Sequence, residues 1–282
     1  PATTQEGVFR QIVHAETNRV AVPALFRDPE ADMWMWDYIV AGDKTLGTRT
    51  FPIRTEGAAP GREATLSVKL MGFTKTGVEG EHHVSVKVNG AAVGEQRWTG
   101  MTPCEFRATL ARDLLRDGEN TVEVTGLLDT GAPYSVFYVD AMDLDYGRFY
   151  RAVNGRLEAA AESNRVMTIR GFTNSQVVVI NVTNPKRVAL VTRTRVEPGA
   201  GGWQVSFAPG DAEEKYLAYT PEAVRTPESV QAAVSTSLTR SRNEGQYLVS
   251  APKELLGAAQ VLADYRQSQG YTTKVVDLEA VY

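Results

Sequence analysis

Alternating apolar and polar positions dominate the pattern of this chain. Residues 65–73 alternate cleanly, and residues 83–88 repeat the alternation before an Asn89-Gly90 pair. Because this pair tolerates the positive φ angles of a type I′ turn, we predict a hairpin there. Alternation with one polar face is typical of antiparallel sheets packed as a sandwich. We therefore predict a β-sandwich over residues 32–151, with residues 1–31 as an N-terminal extension packing on it.

The alternation changes phase towards the end of the predicted sandwich. Phe137, Val139 and Ala141 share one parity, whereas Met142 and Leu144 share the other. A single extra residue moves the following side chains to the opposite face of a strand. The sequence therefore predicts a β-bulge near Ala141 or Met142.

The next part of the chain predicts a second, smaller β module over residues 152–220. Residues 177–182 are apolar with little alternation, which indicates a centrally buried strand. Residues 221–244 contain prolines and many serines and threonines, which are typical of a connector. The fold class expected from these patterns is mainly β.

Residues 245–282 change character from strand to helix and back to strand. A short apolar run precedes Pro252, helical spacing continues to Gly270, and residues 272–278 again favour a strand. Two strands joined through a helix in this way are expected to be parallel, as in a βαβ unit. The turn between strand and helix contains no glycine, so neither a dinucleotide fingerprint nor a phosphate loop is present.

Composition and charge exclude several functions. The 282 residues carry 30 basic and 34 acidic side chains, a net charge of −4, which argues against a nucleic-acid partner. No apolar run approaches the ~20 residues needed for a membrane span. One cysteine excludes an internal disulfide and a cysteine-rich zinc site, and three histidines leave little for another metal site. We predict no cofactor, no bound metal and no catalytic residue on this chain.

Cys104 is the one thiol that could act as a nucleophile, with His82 and His83 as possible bases. Parity opposes this role, because Cys104 shares its strand face with Phe106 and other apolar residues. Buried cysteines behave mostly as small inert hydrophobes. For His82 and His83 we expect solvent exposure at a strand end. The interpretation we favour is that Cys104 belongs to the core.

Aspartates and aromatic residues offer two further candidate sites. Asp140, Asp143 and Asp145, with Asp129 upstream, could bind calcium, although a solvated strand edge is the simpler interpretation. A row of aromatic residues could stack on sugar, but its alternation favours one core-facing row instead. The row consists of Trp34, Trp36 and Tyr38, and the other tryptophans considered for a sugar site are Trp98 and Trp203.

The final residues carry a family resemblance. Residues 247–256 and 262–282, with a Leu-Ala-Asp-Tyr-Arg run from Leu262 and a later Val-Val-Asp strand, resemble the opening of the catalytic domain in gingipain-type cysteine peptidases. That domain is a caspase-like α/β domain. Residues 33–39 resemble a segment that precedes the sandwich in large bacterial members. Residues 83–120, with their Val-Asn-Gly and Asp-Gly-Glu-Asn turns, are similar to galactose-binding-like jelly rolls.

The resemblance implies a secreted or cell-surface bacterial endopeptidase with a histidine–cysteine dyad. In the family these two residues follow the part that matches here, so no residue of this chain takes their roles. We therefore expect a non-catalytic N-terminal portion, inactive alone, whose partner is the remainder of its own catalytic domain. Protein substrate or a cell-surface glycan would be further partners. The alternative is a carbohydrate-binding or adhesion module of a bacterial surface protein.

Overall fold

The computed structural model describes residues 7–26, 28, 30–162, 165–230, 232, 238 and 244–281. Parts of the predicted N-terminal extension and of the predicted connector therefore lie outside the described residues. The chain forms two compact units, residues 1–225 and 226–282. Each unit is described by itself.

The first part of the larger unit is a β-sandwich, so the fold is mainly β as the alternation predicts. Its strands are β1 (Val8–Glu16), β2 (Val20–Ala21), β3 (Trp34–Met35), β4 (Asp37–Val40), β5 (Thr48–Thr55), β6 (Ala64–Gly72), β7 (His82–Val88), β8 (Ala91–Trp98), β9 (Pro103–Leu110), β10 (Gly118–Leu127) and β11 (Val136–Phe149).

Two antiparallel sheets form the sandwich among the described residues. One has the order β1-β11-β6-β9, with β4 pairing β11 beside β1, and the other has the order β5-β10-β7-β8. Their inner faces enclose a core of aliphatic and aromatic side chains that includes Leu66, Val86, Phe137 and Leu144. These residues occupy alternate positions in their strands, which explains the alternation in the sequence.

Two local predictions for the sandwich are confirmed. The register between β11 and β6 shifts between Val139 and Met142, where the phase of the apolar residues changes. Asn89 and Gly90 connect β7 to β8 with φ angles of 49° and 86°, as a type I′ turn requires.

β1 connects the sandwich to the second module. The strand pairs β11 along its whole length, so the N-terminal region contributes a strand to the sheet itself. Val13 and Ala15 pack against the sandwich core. Phe9, from the same strand, belongs to the core of the second module and stacks on Tyr150 with ring centroids 4.8 Å apart. The two β modules therefore share one strand.

The second β module contains two small sheets, β12-β18-β14-β15 and β13-β17-β16. Apolar side chains such as Ile169, Phe172 and Val205 are buried between them. The module's strands are β12 (Arg156–Ala160), β13 (Met167–Phe172), β14 (Val178–Asn181), β15 (Ala189–Leu190), β16 (Thr194–Gly199), β17 (Gly202–Phe207) and β18 (Lys215–Tyr219).

The predicted buried strand of this module is only partly confirmed. β14 lies inside its sheet between β18 and β15, but of its four residues only Val179 is fully buried. The expectation of a strand buried on both faces is therefore wrong, because one face of this small sheet is left uncovered.

The smaller unit contains the predicted strand, helix and strand. They are β19 (Tyr247–Ala251), α1 (Leu256–Ser268) and β20 (Thr273–Asp277), and the two strands pair in parallel. Ala259 and Ala263 are the buried side chains of the helix. None of the helices in the described part of the chain is long and apolar enough to cross a membrane.

Candidate functional site

Cys104 lies on β9 with its side chain half-buried against the sandwich core. It pairs with Leu70, and Phe106 on the same face is fully buried, which confirms the parity argument. Burial, followed by the neighbouring Glu105 carboxylate, raises the pKa of the Cys104 thiol. A protonated thiol is a weak nucleophile, so the environment of Cys104 opposes a catalytic role.

His82 is fully buried, and the prediction that it is solvent-exposed is wrong. Its Nδ1 lies 2.8 Å from the Ser135 hydroxyl, and its Nε2 lies 3.2 Å from the carbonyl oxygens of both Thr74 and Gly100. Because carbonyl oxygens only accept hydrogen bonds, Nε2 carries the proton. The ring also packs on Trp98 with centroids 4.7 Å apart. Burial lowers the pKa of His82, so the imidazole is neutral and structural.

Glu81 is a fully buried carboxylate directly before His82. It accepts hydrogen bonds from the backbone N–H and the hydroxyl of Thr76, and from the Gly100 N–H at 2.8 Å. Burial raises the pKa of Glu81, but the bonds from Thr76 and Gly100 outweigh it and leave the pKa lowered. The carboxylate therefore links the loop that contains Thr76 to the loop that contains Gly100 through hydrogen bonds. Sequence analysis missed it, because a glutamate in a glycine-rich loop normally indicates exposure.

His83 is also buried and lies between two carboxylates, so the expectation of exposure is wrong for this residue too. Its Nδ1 lies 2.7 Å from Asp129 Oδ1, and its Nε2 lies 3.2 Å from Glu95 Oε2. The hydrogen bond from His83 is the main cause of the lowered pKa of Asp129. Neither His82 nor His83 is hydrogen-bonded to Cys104, and the partners described above account for both imidazoles.

The aspartates of β11 lie on the outer face of the five-stranded sheet, each in its own surroundings. Asp143 contacts His14 Nδ1 at 2.5 Å and Lys69 Nζ at 3.3 Å, and Asp145 pairs with Arg10 at 2.7 Å. Half-burial raises the pKa of Asp140. No group of three or more metal-ligating side chains suited to an ion occurs within the described ranges.

The predicted row of aromatic residues is split by a bend between β3 and β4. Trp36 faces the core and contacts Phe51, with centroids 4.8 Å apart, as expected. Trp34 is 41% exposed, so the core assignment is wrong for this residue. Tyr38 is only partly buried, because buried Ile39 takes the core-facing position of β4. The bend reverses the parity on which the prediction rests.

Tyr38 joins a small aromatic cluster on the outer face of the sheet. Its ring centroid lies 6.4 Å from that of Tyr138, which in turn lies 5.5 Å from Phe73. Both pairs meet edge to face, and the Arg49 guanidinium lies 5.8 Å from the Tyr38 centroid. Phe73 is 38% exposed. This cluster, which sequence analysis did not identify, presents apolar edges beside a cation and could contact a sugar.

A cleft with a volume of about 940 Å³ lies between β1 and β12. Residues 9–12 form one wall and residues 156–160 form the other. Five of its lining side chains are basic and three are acidic. Sequence analysis could not locate this cleft, because its walls are about 145 residues apart and meet only in the folded chain.

Comparisons with known proteins support the fold. No family model matches the chain, and no curated protein matches it. Among solved structures, dimeric latent PorU from Porphyromonas gingivalis is similar over 98% of this chain, with a TM-score of 0.66 and 14% sequence identity. The match covers 26% of the PorU chain, so this sequence spans about a quarter of that protein. At this identity the similarity shows the fold.

Carbohydrate-binding modules give much weaker matches. CBM36 in complex with calcium and xylotriose covers 48% of this chain and 98% of the module, at 16% identity and a TM-score of 0.29. The CBM36-1 domain of a multidomain xylanase from the hindgut metagenome of Trinervitermes trinervoides has the same TM-score at 14% identity, over 48% of this chain and 95% of that domain. Matches at this level carry no argument about the present chain.

Proposed function

We propose that this chain is the non-catalytic N-terminal portion of a gingipain-like cysteine endopeptidase of the bacterial cell surface or exterior. The observation that carries the proposal is the extent of the PorU match. It covers 98% of the chain and thus includes the sandwich, the second module and the strand–helix–strand unit. PorU is itself gingipain-like. The resemblance of residues 247–256 and 262–282 to the start of a gingipain-type catalytic domain supports the same conclusion.

Exposed apolar side chains of the smaller unit support a partner domain. Leu248 on β19 is 63% exposed, and Val261 and Tyr265 on α1 are 70% and 58% exposed. A two-stranded sheet with one helix has too few elements to cover these side chains. The proposal assigns this surface to the remainder of a caspase-like α/β domain, of which residues 245–282 are the start.

The proposal gives the β region a supporting role. Residues 32–151, together with β1 from the N-terminal region, form the galactose-binding-like sandwich. Residues 152–220 form the second module, and residues 221–244 connect them to the catalytic domain. On this proposal Cys104, His82 and His83 have structural rather than catalytic roles. The β region would position the peptidase or bind its substrate.

The first expected result is that the isolated chain is inactive. Incubated with casein and with fluorogenic peptides, it should show no hydrolysis above background, and Cys104→Ala should behave identically because the thiol is protonated and half-buried. Papain in the same assay is the positive control. Robust cleavage that Cys104→Ala abolishes would contradict the proposal.

The covering domain can be tested on the full gene product. Hydroxyl-radical footprinting should label Leu248, Val261 and Tyr265 strongly in the isolated chain, since all three are exposed. In the full product their labelling should fall severalfold, whereas Leu190 in the second module, which is 63% exposed, serves as an internal reference. Equal labelling of the three residues in both samples would exclude a partner domain on this surface.

A second candidate function, a carbohydrate-binding or adhesion module, is favoured by the cluster of Tyr38, Phe73 and Tyr138 on the outer sheet face. If it holds, xylotriose or another array glycan should change the tryptophan and tyrosine fluorescence. Tyr138→Ala should then weaken binding about fivefold, because an aromatic contact contributes on the order of 1 kcal/mol. Tyr134→Ala, at a tyrosine that is 53% exposed and lies outside this cluster, is the matched control. The absence of any glycan response would reject this candidate.

A further inference from the structure

We propose that the cleft between β1 and β12 binds an extended acidic peptide segment of a partner protein, which adds as a strand to the free edge of β1. This inference goes beyond the proposed function and does not rest on it. It depends on two features: the unpaired edge of β1 and the surplus of positive charge in the cleft.

β1 is an edge strand whose outward backbone groups can be identified from its pairing. The Tyr150 N–H donates to the Gly7 carbonyl at 3.1 Å, which places Gly7 and every second residue after it towards β11. Val8, Arg10 and Ile12 therefore direct their backbone groups away from the sheet. Among the described residues, the one hydrogen bond to these groups is from the Gln11 side-chain amide to the Ile12 carbonyl at 2.9 Å.

This edge is long enough to template another strand. β1 has nine residues. Ile12, one of the residues whose backbone groups point to the free edge, also has a side chain that is 62% exposed. Unpaired N–H and C=O groups along such an edge are the usual acceptors of an extended peptide, which gains main-chain hydrogen bonds. The peptide's alternate side chains would then point into the cleft.

β12 forms the opposite wall and is also an edge strand. Its first residue, Arg156, exchanges backbone bonds with Val153 at 3.0 and 3.2 Å, and Ala161, just beyond its end, bonds towards β18. Strand alternation directs the backbones of Glu158 and Ala160 away from β18 as well. The Ala160 carbonyl accepts from the Tyr150 hydroxyl at 2.9 Å, so on this edge of β12 the Glu158 backbone is the one left without a hydrogen bond to a described residue. The cleft thus has unpaired backbone groups on both sides.

The charge of the cleft determines which peptide side chains it would attract. Arg10 and Arg148 already pair with Asp145 and Glu56, at 2.7 and 2.9 Å. The other three basic side chains form no ion pair with any described residue, and all three are exposed. They are Arg156, Lys215 and Arg225. Although the chain as a whole has a net charge of −4, this cleft therefore attracts acidic groups.

The binding test uses fluorescein-labelled nine-residue peptides and fluorescence anisotropy on the full chain. A peptide that alternates glutamate with valine should bind, and its affinity should fall as the salt concentration rises. A lysine–valine peptide should bind at least tenfold more weakly. A glutamate peptide with two adjacent prolines at its centre should also lose at least tenfold, because one proline of the pair always removes an N–H from the edge of the peptide that faces β1. Equal binding of the acidic and basic peptides would overturn the proposal.

Variants of the chain locate the peptide on β1. Ile12→Pro removes an outward N–H that the fold does not use, and should weaken the acidic peptide at least tenfold. Thr109→Pro is the matched control on β9, the strand at the other edge of the sheet. The Gly72 N–H donates to the Thr102 carbonyl, and strand alternation from this bond directs the backbone groups of Thr109 away from β6. Unchanged affinity in Ile12→Pro, with unfolding like that of the wild type, would place the peptide elsewhere.

A charge variant tests the same binding site even if Ile12→Pro does not fold. The double variant Arg156→Glu, Lys215→Glu changes only exposed side chains and should weaken the acidic peptide at least tenfold while strengthening the basic one. Sedimentation, which measures the oligomeric state, tests the alternative that a second copy of this chain pairs with the edge of β1. If no peptide binds and Ile12→Pro converts a dimer to a monomer, the edge pairs with another copy and the proposal is wrong.

Discussion

Replacing Phe9 with alanine is expected to lower the free energy of unfolding of the first unit by about 3–5 kcal/mol, the usual cost of deleting a buried aromatic ring. Phe9 is 2% exposed and stacks on Tyr150 at 4.8 Å within the core of the second module. The same strand pairs with β11 in the sandwich. The deletion should therefore weaken both a core and the connection between two modules, and a separate early transition should appear on unfolding.

The measurement is urea unfolding followed by circular dichroism and intrinsic fluorescence. Ile12→Ala is the matched control, because Ile12 lies on the same strand with its side chain 62% exposed. Surface substitutions of this kind change stability by about 0.5 kcal/mol or less. A Phe9→Ala effect no larger than that of Ile12→Ala would show that β1 does not connect the modules.

Replacing Glu81 with alanine is expected to cost about 3 kcal/mol at neutral pH. The carboxylate is fully buried and accepts bonds from Thr76 and from the Gly100 N–H at 2.8 Å. Without it, the buried Gly100 N–H and the partly buried Thr76 N–H lose their partner, and each unsatisfied donor costs about 1–3 kcal/mol. Glu79→Ala, at an exposed carboxylate of the same loop, is the control and should leave stability nearly unchanged.

The pH dependence gives the Glu81 prediction a second readout. The folded-state pKa of Glu81 lies below its ordinary value of 4.5, so the unfolded chain binds its proton first as the pH falls. The stabilisation is therefore complete above pH 4.5 and is lost as the pH falls through the folded pKa. The stability difference between wild type and Glu81→Ala should narrow below pH 4.5. A difference that is constant with pH would mean that the charged form contributes nothing.

Local periodicity made much of the fold predictable. The alternation of β6 and β7, the Asn89-Gly90 turn and the bulge before Met142 depend only on neighbouring residues, and each is confirmed. The half-buried position of Cys104 follows from the same parity. The strand–helix–strand order of the smaller unit was likewise encoded in local spacing. In these cases a short window of sequence contains the whole physical cause.

Contacts between distant residues decided the rest. His82 is buried because Thr74, Gly100 and Ser135 arrive from three different loops, and no local pattern records that meeting. Trp34 is exposed because a bend interrupts the parity of its strand.

The sequence by itself determined a mainly β chain, its strand faces and a thiol that is held in the core. Only the tertiary structure decided that β1 joins two modules and that its free edge faces a basic cleft. The physical reason is that strand pairing and charge juxtaposition depend on which residues meet in space. Hydrophobic alternation specifies only which side of a strand is buried.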